Sequence, residues 1–190
     1  MIKLAITSQL PRDNEHLFIE RVIDAGWDWV HLRHPVASEE ELRTIIERID
    51  PLYYRRIKLH SFPQLVTEYK LGGVHLNSRV PSTDLDPQQY SISRSCHTIS
   101  ELHSPENKAL DYVTLSPIFD SVSKQGYKGT FDADELSQIP HQPRVIALGG
   151  VTPQRLKQLK DFNFAGYAVL GYLAEARSLQ QLSLRLSEFN

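Results

Sequence analysis

A chain of 190 residues, 41% of them apolar and 23% charged, has the make-up of one globular domain with a single sizeable core. Its formal charge of -2 leaves no basic excess for a nucleic-acid partner, and the lone Cys96 excludes an internal disulfide framework or a cysteine-based zinc cluster. No signal-peptide pattern and no run of the ~20 apolar residues needed to cross a bilayer is present, so a cytoplasmic protein without a membrane partner is expected.

Short apolar runs alternate with amphipathic ones along the chain. The first half reads as strand Lys3–Thr7, helix Glu15–Ala25, strand Trp29–Arg33, helix Ser38–Ile49, strand Arg56–His60, helix Pro63–Lys70 and strand Gly73–Leu76. A weakly patterned stretch, Pro81–Tyr90, precedes strand Ser91–Cys96, helix Ile99–Asn107 and strand Tyr112–Ser116. After a long loop come helix Asp132–Gln138, strand Val145–Leu148, helix Pro153–Lys160, strand Gly166–Leu170 and helix Leu179–Phe189. Ser38 with Glu41, and Thr98 with Glu101, have the spacing of helix caps, and Thr152-Pro153 puts proline at a first helical position. Gly26 and Gly72 stand where helices should end.

Strands alternating with helices imply parallel pairing through right-handed crossovers. An open doubly wound sheet would carry its glycine-rich loop after the first strand, but Thr7-Ser-Gln-Leu-Pro-Arg12 has none. The glycines instead follow the seventh strand, where barrels commonly hold phosphate. The expected fold is therefore a small (β/α)8 TIM barrel, one α/β domain over residues 1–190.

In such a barrel the strand ends form the active site, and here they are rich in basic and hydroxyl groups and lack carboxylates. Alternation along Val30-His31-Leu32-Arg33 points Arg33 into the mouth as an anion clamp, with His31 a layer deeper as a hydrogen-bonded core residue. His97, at the end of the fifth strand, is the candidate acid/base. Ser121, Ser123 and Lys124 form a candidate phosphate grip on the loop after the sixth strand, and that loop, 117–131, has the length of a lid. Gly149 and Gly150 offer bare backbone for a phosphate. His60 and His75 are weaker candidates, and the spacing of the histidines, unclustered and without carboxylates, argues against zinc.

The ordered set His31-Leu-Arg33, Gly73-Val-His-Leu76, Ser95-Cys-His-Thr98 with Glu101, Asp111-Tyr-Val, Ser116-Pro-Ile-Phe119, Ser123-Lys124 and Ala147-Leu-Gly-Gly-Val151 resembles the thiamine phosphate synthase/TenI family. The resemblance runs from about residue 2 to 172. It implies a (β/α)8 barrel of thiamine biosynthesis with one of two activities. A synthase joins an aminopyrimidine pyrophosphate to a thiazole phosphate with magnesium on the pyrophosphate; a TenI-like tautomerase shifts a double bond in a thiazole carboxylate phosphate without metal. The synthase pattern is broken in three places: His34-Pro35 follows Arg33 where the family has Glu-Lys, Ser61 replaces a metal-binding aspartate after the third strand, and Val80 replaces another after the fourth.

The leading expectation is thus a metal-independent thiazole phosphate tautomerase with no cofactor. His97 would move the proton, Arg33, Ser121, Ser123 and Lys124 would bind substrate, Gly149 and Gly150 would hold its phosphate, and His60, Asn77 and Arg79 would assist. The alternative is the synthase, to which alone magnesium would belong. A third reading is a non-catalytic protein that binds phosphorylated thiazole or thiamine phosphate. A homodimer is allowed by all three.

Overall fold

The computed structural model describes residues 1–120 and 129–190; Ser121, Ser123 and Lys124 lie outside the described residues. Eight parallel strands close into a barrel in sequence order: β1 (Ile2–Ile6), β2 (Trp29–Leu32), β3 (Ile57–Leu59), β4 (Gly73–Leu76), β5 (Ser91–Cys96), β6 (Tyr112–Leu115), β7 (Val145–Leu148) and β8 (Gly166–Val169). Closure is made by β1 pairing with β8, Leu4 opposite Ala168. The expected (β/α)8 barrel is borne out. No described helix is long and apolar enough to cross a membrane.

Helices fill the outside: α1 (Glu15–Asp24), α2 (Glu39–Glu47), α3 (Gln64–Tyr69), α4 (Ile99–Leu102), α5 (Ala133–Leu136), α6 (Leu156–Leu159), α7 (Gly171–Ala174) and α8 (Leu179–Ser187). Ser38 and Glu41 form the expected capping box on α2, and Thr98 caps α4 through the Glu101 amide. Several helices are shorter than the periodicity predicts. Pro105 interrupts the fourth, so Ile99–Leu102 is α-helical and Pro105–Ala109 is a separate 3-10 turn. Pro153–Arg155 is likewise a 3-10 turn leading into α6. A further 3-10 segment, Pro51–Arg56, and α7 escaped the sequence reading, both being too short to show a period. Gly26 does sit left-handed after α1, at φ +83°, but the left-handed cap of α3 is Lys70, at φ +55°. Gly72 serves close packing instead, since a Cβ there would stand 2.3 Å from the Arg55 carbonyl oxygen.

Strand alternation sorts side chains into two cores. Val30, Leu32, Ile57, Leu59, Val74, Val113 and Val145 face the helices in one apolar shell. The barrel interior is divided. Leu4, Ile6, Tyr112, Ile146 and Ala168 pack together on one side. On the other, His31, Lys58, His75 and Ser93 are buried polar residues from β2 to β5. Lys58 donates to Ser93 Oγ at 3.2 Å and lies 4.0 Å from the centre of the Tyr112 ring. Burial pushes its pKa well down, against the opposing pull of the Asp111 charge.

A second buried polar pair sits under the mouth. Glu15 opens α1 at 2% exposure, and its Oε1 lies 3.8 Å from His34 Nε2. Neither atom has a hydrogen-bond partner among the described residues. An ion pair would lower the glutamate pKa and raise that of the histidine, yet burial dominates both and drives them the other way. His34 Nδ1 donates to the Ser8 carbonyl at 2.9 Å, so its Nε2 carries a lone pair towards Glu15. A carboxyl whose pKa is raised by folding supports the fold below its unfolded pKa of ~4.3 and withdraws that support as pH rises through the folded value. Glu15→Gln removes the withdrawal and offers an N–H to His34. It should therefore gain about 1 kcal/mol over the wild type near pH 8, shrinking towards zero near pH 4, in urea melts across that range. A loss of stability at pH 8 would show that the carboxylate is needed ionised.

Candidate active site at the carboxyl ends of the strands

The carboxyl ends of the strands surround one cavity of ≈ 1280 Å³, lined by Arg33, His60, His75, Asn77, Arg79, His97, Gly149 and Gly150 among others. Eight of the candidates named from the sequence, the weaker His60 and His75 among them, therefore meet in one place.

Arg33 follows β2 and is half-buried. Its backbone is fixed by Thr7 at the end of β1, whose Oγ1 accepts from Arg33 N at 2.8 Å and donates to Arg33 O at 3.3 Å. Among the described residues no carboxylate lies within 4 Å of its guanidinium. Burial, and then the like charge of Arg79, lower its pKa. Arg79 donates to the Pro35 carbonyl. Two arginines that share a rim, with no carboxylate paired to either among the described residues, have the chemistry to hold an anion.

Asn77 plays a different part from the one expected. Its Nδ2 donates to the carbonyls of His60 and His75, at 2.9 and 3.0 Å, and its Oδ1 accepts from Arg79 N at 3.0 Å. It braces the ends of β3 and β4 and places Arg79, which leaves little of it for a ligand.

His97 is exposed just beyond β5. Its backbone N–H donates to the Glu101 carboxylate at 2.6 Å, which anchors the start of α4. Its Nδ1 faces the Ser116 carbonyl at 3.1 Å. A carbonyl only accepts, so Nδ1 carries the proton and Nε2 the lone pair. Beside it, burial pushes the Cys96 thiol up to about 11, which removes it as a nucleophile at neutral pH.

The Gly149–Gly150 turn is built on positive φ, +100° and +63°. A Cβ on Gly149 would stand 2.9 Å from Pro117 Cα, and one on Gly150 would stand 2.2 Å from the Asp120 carbonyl oxygen. Arg155 ties the turn to the loop after β6, its Nη1 donating to Gly150 O at 2.7 Å and Asp120 O at 2.8 Å. Sequence reasoning missed Arg155; an arginine on the first turn after a Gly-Gly-x-Thr-Pro stretch is the only signal it left.

The histidines of the inner face are not scattered. His31, His60 and His75, from three adjacent strands, bring one ring nitrogen each within 4.8 Å of one another. The spacing of 29 and 15 residues hid this, because barrel neighbours are a whole strand–helix unit apart in sequence. His31 is the expected core histidine, 0% exposed and 2.7 Å from Tyr112 Oη.

A cationic mouth set against a glycine turn after β7 is an arrangement in which (β/α)8 enzymes frequently hold phosphate. A sequence model of the family described as thiamine monophosphate synthase matches residues 4–173, and the chain belongs to that family of enzymes. Over 185 residues it is 24% identical to the thiamine-phosphate synthase of Proteus mirabilis, covering 90% of this chain and 84% of the relative. The Latilactobacillus sakei thiamine-phosphate synthase is 34% identical over 126 residues, 62% of this chain and 56% of the relative, so that match spans little more than half its length. Among solved structures, the thiamine phosphate pyrophosphorylase of Bacteroides thetaiotaomicron superposes with a TM-score of 0.85 at 29% identity, covering 100% of this chain and 95% of that one. The names of these relatives favour the synthase over the tautomerase that the sequence reading put first.

The residues present do not fit the magnesium that a synthase would use. Hard cations need oxygen ligands, usually carboxylates. The rim beyond β3 and β4 offers Ser61, Asn77, Ser78 and Arg79. The lining carboxylates, Glu101 and Glu106, are engaged elsewhere, the first with His97 N and the second with Arg94 at 2.6 Å.

Proposed function

We propose that the chain is a thiamine-phosphate synthase, a transferase that couples an aminopyrimidine pyrophosphate to a thiazole phosphate and expels pyrophosphate. The observation that carries this reading is the cavity. At ≈ 1280 Å³ it exceeds the ~300–1,000 Å³ usual for one small ligand. Its two anion-binding edges also face each other, since Arg33 and Arg79 flank β3 and the glycine turn follows β7, four strands away in an eight-stranded barrel. One edge suits the pyrophosphate, the other the thiazole phosphate. As pyrophosphate leaves, the growing negative charge meets Arg33, held by Thr7 in a half-buried site where a preoriented cation acts strongly.

A second reading, the thiazole phosphate tautomerase, is favoured by His97 alone, whose Nε2 lone pair is oriented by the Ser116 carbonyl. One set of assays separates the two. Purified protein is given both precursors across a magnesium titration and thiamine phosphate is measured by mass spectrometry; the isomeric thiazole carboxylate phosphates are followed by NMR in parallel. Coupling that persists without added magnesium is the expected result. No thiamine phosphate at any magnesium concentration overturns the synthase, and isomer turnover unchanged in His97→Ala overturns the proton-moving role.

A further inference from the structure

We propose that His31, His60 and His75 form a site for a borderline divalent transition-metal ion of the zinc class, with an open coordination position facing the cavity. Three neutral imidazoles plus one exchangeable position is the donor set of a catalytic-type zinc site, and imidazole selects zinc, cobalt, nickel or copper over magnesium. The three rings come from the inward faces of β2, β4 and the residue after β3, with ring centres 4.5–5.1 Å apart. His31 Nδ1 and His60 Nε2 already face each other at 2.9 Å. Tetrahedral ligands at ~2.0–2.1 Å from zinc stand ~3.3 Å apart, so this pair has to open by only about 0.4 Å while His75 draws in from within 4.8 Å.

The outer contacts fit as well. His31 Nε2 lies 2.7 Å from Tyr112 Oη, a partner that fixes the ring with Nδ1 towards the ion. His75 holds Ser93 Oγ through Nδ1 and Ser95 Oγ through Nε2, both at 2.9 Å, so the ion takes the place of one serine hydroxyl while the other keeps the ring oriented. His60 and His75 line the cavity, which gives the ion an entry path and its fourth ligand, water or a phosphate oxygen. The bound ion would keep both positive charges, since its protein ligands are neutral, and would recruit an oxyanion beside Arg33.

The full chain, stripped with a chelator and dialysed, is titrated with zinc and cobalt salts alone. The expected result is one equivalent per chain, micromolar or tighter, with the intense visible absorption of four-coordinate cobalt. His60→Asn should weaken binding at least tenfold, while His141→Ala, at an exposed histidine outside the barrel mouth, should not. Zinc X-ray absorption on the wild-type chain reads the donors even where a variant fails to fold. Three imidazole nitrogens support the site. Sub-stoichiometric binding, an all-oxygen shell, or equal affinity in His60→Asn and the wild type overturns it.

Discussion

Gly150→Ala is expected to lower kcat/KM for the phosphorylated substrate by about 10²-fold and to cost roughly 2–3 kcal/mol of stability. Two effects add. Alanine pays about 1 kcal/mol or more to sit left-handed, as Gly150 does at φ +63°. Its Cβ would also stand 2.2 Å from the Asp120 carbonyl and 2.8 Å from the Phe119 carbonyl, both backbone atoms that cannot swing aside. The turn must therefore move, and a shift of ~1 Å in a positioning element is enough for a loss of this size. Gly26→Ala is the matched control: it is also left-handed, at φ +83°, with nothing within 4 Å of the added carbon. It should pay the conformational cost alone and leave catalysis intact. If both variants lose similar stability and neither loses activity, the glycine turn is scaffold and not a phosphate site.

The contrast between these glycines marks what the sequence could tell. Strand order and barrel closure were legible, because a period of two switching to longer amphipathic runs is a property of the chain itself. Gly149 and Gly150 were legible because they end an apolar run. Helix lengths were not, since prolines such as Pro105 turn a continuous pattern into an α-turn followed by a 3-10 turn. The histidine cluster was illegible for a different reason: three residues on neighbouring strands look isolated in a linear reading, and only the barrel's fixed order brings them together. Asn77 was expected only to assist at the site; it lines the cavity, and its amide is committed to two backbone carbonyls, which a linear reading does not show. Glu15 shows in the sequence only as the first residue of a helix, and nothing local foretells its burial against His34.

Arg33→Met should separate function from stability in opposite directions. A half-buried guanidinium with no acid partner among the described residues, and with Arg79 repelling it, does not support the unliganded fold. Its removal should leave the free protein as stable as the wild type or better by up to about 1 kcal/mol. Activity should fall by about 10²–10³ in kcat/KM, the scale of one charge-stabilising donor, and lysine should restore little of it because a point charge cannot reproduce a bidentate fork. Unfolding with and without inorganic pyrophosphate reads both sides at once. Wild-type stability should climb by about 2.7 kcal/mol at a hundred times Kd, and Arg33→Met at the same concentration should climb far less. A variant that is less stable when free yet still responds fully to pyrophosphate would mean that Arg33 holds the strand end together and the anion binds elsewhere. The expected outcome instead implies that this barrel maintains a destabilising cation at its mouth, and that an anionic substrate relieves the repulsion when it binds.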